Sequence, residues 1–184
     1  MGFWGYFVVG RSERPLAELD ALADVREDLA LHDTRADGWQ VWAHPSEPQV
    51  GDMGALARGV CGETGTPALF AFVMDSDCVV VEATTSATAA GSWFGCLGPE
   101  AMAAFLSADG LRLEDLFLSP ESAAARAVEW AAATGRTVPE KPLLDVLRAE
   151  ADPLAEELFA LFLDRLGLSP RTEAERAHPA GTVT

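Results

Sequence analysis

Two apolar runs separated by a short polar turn lie near the middle of the chain and dominate its hydrophobic pattern. The runs cover 68–74 and 78–81, and the turn between them is Asp75-Ser76-Asp77. Both runs are rich in β-branched and aromatic residues, which suit a pleated sheet, whereas Asp and Ser favour turns. Neither run alternates with polar residues, so these strands need cover on both faces. The pattern predicts a β-hairpin over 67–83 at the centre of a sheet.

Further strand-like segments surround this hairpin in the sequence. Residues 3–9 and 92–97 are compact apolar runs, which predict single strands. Residues 29–32 and 39–43 flank a loop that ends in Asp37-Gly38, a strong turn signal, and together they predict a second hairpin.

Helical periodicity predominates after residue 98. Apolar residues recur at helical spacing, and Pro or Gly punctuation marks the ends of the segments. The predicted helices are 100–108, 120–134, 143–150 and 152–167, with two earlier ones near 16–23 and over 53–62. The segment 111–118 fits either a strand or a helix. In the last long helix the expected core stripe is Leu154, Leu158, Leu161 and Phe162, widened by Phe159 and Leu163.

The order of these elements predicts the fold class. Strands predominate in the first half and helices in the second, without regular βαβ alternation, which indicates an α+β fold. We expect a largely antiparallel sheet, with the hairpin 67–83 at its centre, covered by helices from the C-terminal half. The expected organisation is one domain over 1–168, strand-rich in 1–97 and helix-rich in 98–168, followed by a flexible polar tail, 169–184.

Composition limits the class of protein. The chain is 49% hydrophobic, enough for a full core, and no run approaches the roughly 20 apolar residues of a membrane span. The apolar N-terminus lacks a basic region and a cleavage site, so it fits a strand better than a signal peptide. The three cysteines lack paired spacing, which is typical of a reducing compartment and predicts a cytoplasmic location. One lysine, Lys141, and abundant alanine are typical of GC-rich bacterial genomes.

The net charge of −16 is the strongest global feature. The acidic residues are spread along the whole chain, so the surface as a whole is expected to be acidic. Such a surface repels phosphate backbones, which argues against nucleic-acid binding, and it attracts basic proteins. Solubility alone is also a sufficient explanation of the charge.

Asp75 and Asp77 are the first candidates for chemistry. Two carboxylates one residue apart can bind a hard cation through their oxygens. Asp-x-Asp after an apolar strand resembles the DxD motif of glycosyltransferases. That resemblance implies a metal-dependent transferase or hydrolase, with Glu82 as a further carboxylate. The alternative is a hairpin turn in which each Asp bonds to local amides.

Cysteine and histidine give weaker candidates. Cys61 needs a nearby base to act as a nucleophile, and neither His32 nor His44 has a spacing or signature that ties it to Cys61. A metal site of His32, His44 and Asp33 across the second hairpin is a further alternative. Cys78 and Cys96 fall in apolar strand patterns and are expected in the core.

The five tryptophans are the candidates for binding. Tryptophan is enriched at interaction hot spots, although it also fills cores. Trp39 and Trp42 fall on opposite faces of one strand, so one of them is expected to be exposed. Trp130 lies on a predicted helix beside a possible ligand cleft, so the predicted binding residues are Trp39, Trp42 and Trp130.

These patterns favour a non-catalytic cytoplasmic protein that acts by protein–protein interaction. One concrete form is an acidic immunity or antagonist protein that neutralises a basic partner, because charge steering accelerates such encounters. The alternatives are the metal-dependent enzyme that uses Asp75 and Asp77, and a small-molecule binding protein. No cofactor is implied, and the apolar helix over 152–167 makes a homodimer one expectation.

Overall fold

A single six-stranded antiparallel sheet forms the centre of the molecule. The computed structural model describes residues 1–177. The strands, in chain order, are β1 (Gly5–Arg11), β2 (Ala30–Thr34), β3 (Trp39–Pro45), β4 (Ala68–Met74), β5 (Cys78–Thr84) and β6 (Ser92–Leu97). Their order across the sheet is β2-β3-β1-β4-β5-β6, so the central hairpin β4–β5 lies inside the sheet as predicted. The α+β fold class is confirmed.

Helices cover both faces of the sheet, and most of them follow the last strand. They are α1 (Met53–Thr64), α2 (Pro99–Ser107), α3 (Leu113–Leu116), α4 (Pro120–Ala133), α5 (Glu140–Arg148), α6 (Ala155–Arg165) and α7 (Glu173–Ala177). No helix within 1–177 has the length and apolar character to cross a membrane.

Two hydrophobic cores lie on opposite faces of the sheet. On the first face α4, α5 and α6 pack over side chains such as Phe7, Val41 and Leu69. On the second face α1 and the loop after β1 cover Val8, Phe70 and their neighbours. Both faces of the central strands are therefore buried, which explains why their sequences do not alternate between apolar and polar residues.

The turn of the central hairpin joins three parts of the chain. Asp75 and Ser76 both have positive φ, 52° and 59°, in the three-residue turn between the paired residues Met74 and Cys78. Ser76 Oγ accepts a hydrogen bond from the Phe3 amide at 2.8 Å, and the Ser76 carbonyl accepts one from the Ala155 amide at 2.8 Å. The turn therefore connects the N-terminal strand to the start of α6.

Two of the predicted helical features are wrong in detail. The segment near 16–23 is a series of 3₁₀ turns that bury Leu16, Leu19 and Leu22. In α6, Leu154 and Leu161 are 41% and 37% exposed, so neither belongs to the core stripe. The residues that α6 does bury are Ala155, Leu158, Phe159, Phe162 and Leu163.

The ambiguous segment 111–118 contains the short helix α3, and its end lies along one edge of the sheet. The Leu118 amide donates to the Phe94 carbonyl of β6 at 3.2 Å. The predicted tail begins with ordered contacts, because the Ala36 amide donates to the Ser169 carbonyl and Arg35 pairs with Pro170. The remainder of that predicted tail, 178–184, lies outside the described residues.

Candidate functional site

The outer edge of β2 is the open edge of the sheet. Within residues 1–177, β2 pairs only with β3, and the pairing with Pro170 lies beyond its end, at Arg35. The Arg35 amide points inward and donates to the Trp39 carbonyl at 2.8 Å. Because amides alternate along a strand, the Thr34 amide faces outward, on the same side as the Ala36 amide that bonds Ser169. Thr34 thus presents its backbone N–H at this edge, next to the Ser169–Pro170 segment that pairs with Arg35 and Ala36.

A groove of about 510 Å³ lies beside this edge, on the second face of the sheet. Leu31 and Trp42 are directly opposite each other on β2 and β3 and line it together. Leu31 is 52% exposed. The loop that contains Pro15 and the short helix α7 contribute further lining residues. The groove therefore offers apolar surface next to unpaired backbone.

Gln40 holds Trp42 in place. Its Oε1 atom accepts from the Trp42 indole N–H at 2.8 Å and from the Leu16 amide at 3.0 Å. Its Nε2 group donates to the carbonyls of Ser12 and Arg14. All the polar atoms of this amide are used, so the half-buried indole is held in one orientation.

A smaller cavity of about 60 Å³ lies on the opposite face of the same edge. A β-bulge between Leu31 and Asp33 interrupts the pairing of β2 with β3. His32 and Asp33 both line this cavity although they are adjacent in sequence, because the bulge cancels the alternation of the strand. Glu156 of α6 forms the facing wall. We call the cavity lined by His32, Asp33 and Glu156 the β2 notch.

The β2 notch has an aromatic floor, and its walls carry carboxylates together with the Arg35 side chain. The Phe7 ring lies 4.8 Å from the His32 ring and stacks on Phe159 at 5.4 Å. Glu156 Oε1 accepts from the Ser76 hydroxyl at 2.8 Å, whereas the buried Oε2 has no hydrogen-bond partner within the described part of the chain. A buried carboxylate oxygen without a donor is a costly arrangement.

Arg35 anchors the end of the edge strand. Its side chain is 6% exposed, bonds Asp33 Oδ2 at 2.8 Å, donates to the Leu168 carbonyl at 2.9 Å and pairs with Asp164. These contacts connect β2 to α6 and to the chain after it. One guanidinium thus faces two carboxylates, which leaves negative charge around the β2 notch.

The predicted tryptophans separate into core and surface. Trp39 is 1% exposed and Trp130 is fully buried, with their ring centroids 5.5 Å apart in the first core. The Trp130 indole donates to the carbonyls of Thr84 and Ala68. Trp42 is the partly exposed member of the strand pair, as the opposite-face argument expected. Trp39 and Trp130 therefore lie in the first core, and Trp39 also borders the groove beside β2, so their role in binding stays a prediction.

The predicted metal pair lies at the hairpin turn. Asp75 Oδ1 accepts from the Gly2 amide at 2.6 Å, and Asp77 is exposed. Residues 1–177 contain no group of three or more His, Cys, Asp or Glu side chains placed to hold a metal ion. Cation binding by Asp75 and Asp77 stays a prediction, and the bond of Asp75 to the distant Gly2 amide gives this carboxylate a structural role as well.

The cysteine and histidine candidates are not brought together. His32 lines the β2 notch on one face of the sheet, whereas His44 packs against Tyr6 on the other. Burial raises the pKa of the Cys61 thiol, which disfavours the thiolate needed for nucleophilic attack. Cys78 is buried, with its pKa raised to about 12 by desolvation, while Cys96 is only partly buried.

Glu82 of β5 is a buried carboxylate on the second face. It is 6% exposed, and its nearest cation is the Arg58 guanidinium at 3.9 Å. Desolvation raises the pKa of Glu82, and the negative charge of Asp52 adds to this effect. The ionised form is therefore less stable in the folded state than in water.

Replacement of Glu82 by Gln is expected to stabilise the protein at neutral pH. The folded-state pKa is raised, so the folded protein loses stability as the pH rises from the unfolded pKa through the folded one. Glu82→Gln removes the ionisable group, so we expect the free energy of unfolding to rise by about 1 kcal/mol at pH 8. The gain should shrink as the pH falls to 5. Urea unfolding at both values tests this, and an equal gain at both would contradict it.

The sequence interpretation missed Leu31, Gln40 and Glu156. The sequence offered one signal for Leu31, because a short strand with several polar residues is typical of a sheet edge. It offered no signal for Glu156, because the position of this residue against β2 depends on the packing of α6. Comparison of the chain with protein-family models, curated proteins and solved structures finds no match.

Proposed function

We propose that this protein binds a basic partner protein by adding an extended segment of that partner to the outer edge of β2. The observation that carries the proposal is the open edge itself, flanked by the groove at Trp42. An extended segment that pairs with an exposed edge gains backbone hydrogen bonds, and alternate side chains enter pockets on the two faces.

The two edges of the sheet are covered to different extents. On β6 the outward carbonyl of Phe94 accepts the Leu118 amide, and the segment around α3 lies beside it. Next to β2 the chain after α6 bonds the Ala36 amide and pairs at Arg35, whereas the outward amide of Thr34 has no backbone partner within the described residues. Long unprotected edges aggregate, and the bulge and Asp33 of β2 limit uncontrolled pairing. A short bulged edge favours a partner of matching shape and charge.

Charge supports a basic partner. The chain has a net charge of −16, and Glu27, Asp28 and Asp33 lie at or just before β2. Attraction between opposite charges increases the association rate of two proteins, and the increase falls as salt screens the charges. An acidic protein with a preformed binding edge fits the antagonist role expected from the sequence.

Thr34→Pro tests the edge. Proline removes the outward N–H of Thr34 and is tolerated on edge strands, so the variant is expected to fold. The probe is a short peptide of alternating lysine and valine, with binding followed by tryptophan fluorescence in every variant and by amide exchange at Thr34 in the wild type. We expect Thr34→Pro to weaken binding by at least about tenfold.

Thr34→Val is the matched control, because it keeps both the β-branched shape and the N–H. It should bind like the wild type, and a peptide of alternating glutamate and valine should not bind. Failure of the lysine peptide to bind the wild type, or equal binding by Thr34→Pro with an unchanged melting temperature, would overturn the proposal.

A further inference from the structure

Residues 169–177, which follow α6 and end in the short helix α7, lie against one end of the β2 edge. We call them the α7 strap. The Ala36 amide donates to the Ser169 carbonyl at 2.9 Å, and Pro170 forms an antiparallel bridge with Arg35. The α7 strap therefore makes the same kind of backbone pairing that an added strand makes at a sheet edge.

The register of this pairing leads directly to Thr34. Pairs with and without exchanged hydrogen bonds alternate along an antiparallel ladder. The bridge between Arg35 and Pro170 is of the second kind, because the Arg35 amide points inward to Trp39 and proline has no N–H. The next pair along this ladder would place Arg171 opposite Thr34. The Thr34 amide, which has no backbone partner within residues 1–177, would then donate to the Arg171 carbonyl.

The α7 strap also lies beside the groove on the second face of the sheet. Its residues Arg171 and Glu175 line this groove together with Leu31 and Trp42. Side chains of a strand alternate between the two faces of a sheet, so every second side chain of an added segment would point into the groove. The strap and such a segment therefore need the same space as well as the same backbone groups.

The hold of the α7 strap on the molecule is weak. The helix α7 has five residues, none of them buried, and an isolated helix of this length is marginal in water. Its first turn is closed locally, since the side chains of Thr172 and Glu175 each accept the backbone amide of the other, at 3.3 Å and 2.7 Å. None of the residues 169–177 belongs to either hydrophobic core. Release of the strap therefore leaves both cores packed.

We infer that the α7 strap is an autoinhibitory segment, which the partner segment must displace from the edge of β2 and from the groove. This inference rests on the proposed function and adds a control of its affinity. Molecules with the strap in place cannot pair with a partner along the whole edge, so the measured affinity is reduced in proportion to their fraction. The strap thus favours partners that match the edge and the groove together.

Ala36→Pro loosens the α7 strap from the side of the sheet. Proline removes the N–H that bonds the Ser169 carbonyl. It fits this position because Arg35 is extended, with φ −107° and ψ 169°, and because residue 36 begins a 3₁₀ turn. We expect the lysine–valine peptide to bind this variant about fivefold more tightly than the wild type in a fluorescence titration. Ala36→Ser keeps the N–H and is the matched control, with an affinity within about twofold of the wild type.

Pro170→Gly loosens the α7 strap from its own side and leaves β2 unchanged. Glycine gives the released strap more conformational freedom, so we expect the peptide to bind about threefold more tightly. A nitroxide attached to the Ala177→Cys variant reports displacement directly. Glu175 and Trp42 line the same groove, so the label should broaden the Trp42 indole N–H signal, and saturating peptide should sharpen it.

Equal affinity of the wild type, Ala36→Pro and Pro170→Gly for the peptide would overturn the inference, as would a Trp42 signal that stays broad at saturation. Binding that Thr34→Pro weakens would in that case still support the edge. Absence of peptide binding by the wild type and by both loosened variants would overturn the proposed function together with the inference, so the two failures are distinguishable.

Discussion

Trp130→Ala is expected to lower the free energy of unfolding by about 3–5 kcal/mol. Trp130 is fully buried at the centre of the first core, where α4 crosses the sheet. Its truncation leaves a large cavity beside Trp39, whose ring centroid lies 5.5 Å away. It also removes the indole donor from the carbonyls of Ala68 and Thr84. Urea unfolding followed by circular dichroism measures the loss.

Two further variants separate the causes of this loss. Trp130→Phe keeps most of the ring and removes the N–H, so we expect about 1–2 kcal/mol, the cost of leaving a buried acceptor unpaired. Trp42→Ala should cost less than Trp130→Ala, since Trp42 is only partly buried. A loss below about 1 kcal/mol for Trp130→Ala would contradict the placement of this residue in the core.

Hydrophobic pattern predicted the sheet well because both hairpins carry local signals. Asp75-Ser76 and Asp37-Gly38 occupy turn positions with positive φ, which few residue types accept, so the turns are encoded in single residues. The absence of alternation in β4 and β5 likewise indicated burial on both faces. These features depend on neighbours in sequence rather than on distant packing.

The predictions for the segment 16–23 and for the core stripe of α6 were wrong because more than one helical arrangement fits the same apolar residues. Leu16, Leu19 and Leu22 recur every three residues, which matches the 3.0 residues per turn of a 3₁₀ helix better than 3.6. In α6 the apolar run 158–163 surrounds the helix, so sequence alone left the buried face open. In the structure the buried face is the one that carries Phe159, which stacks on Phe7, and Leu161 is partly exposed.

The candidate site was predictable only in part. The opposite-face argument indicated that one of Trp39 and Trp42 is exposed, and charge indicated a basic partner. The open edge of β2 could not be predicted, because strand order depends on the long connections between strands. The β2 notch depends further on a bulge and on the approach of α6 across more than a hundred residues of sequence. Both are properties of tertiary packing.

Ala127→Leu is expected to cost about 1–3 kcal/mol of unfolding free energy, because the packing of α4 on the sheet requires small side chains. Ala123, Ala124, Ala127 and Ala131 are all buried on one face of α4. Added methylenes at Ala127 would push the helix away from β6 or force strained rotamers on its neighbours. The measurement is again the midpoint of urea unfolding. The dependence of the unfolding free energy on urea concentration is compared with that of the wild type, to detect a loosened core.

Ala125→Leu supplies the matched control, since it makes the same chemical change on the exposed face of the same helix. Its helix propensity cost is near zero, so its unfolding free energy should stay within about 0.5 kcal/mol of the wild type. The difference between the two variants then reports packing alone. Equal stability of Ala127→Leu and Ala125→Leu would mean that α4 does not approach the sheet as closely as its row of alanines requires.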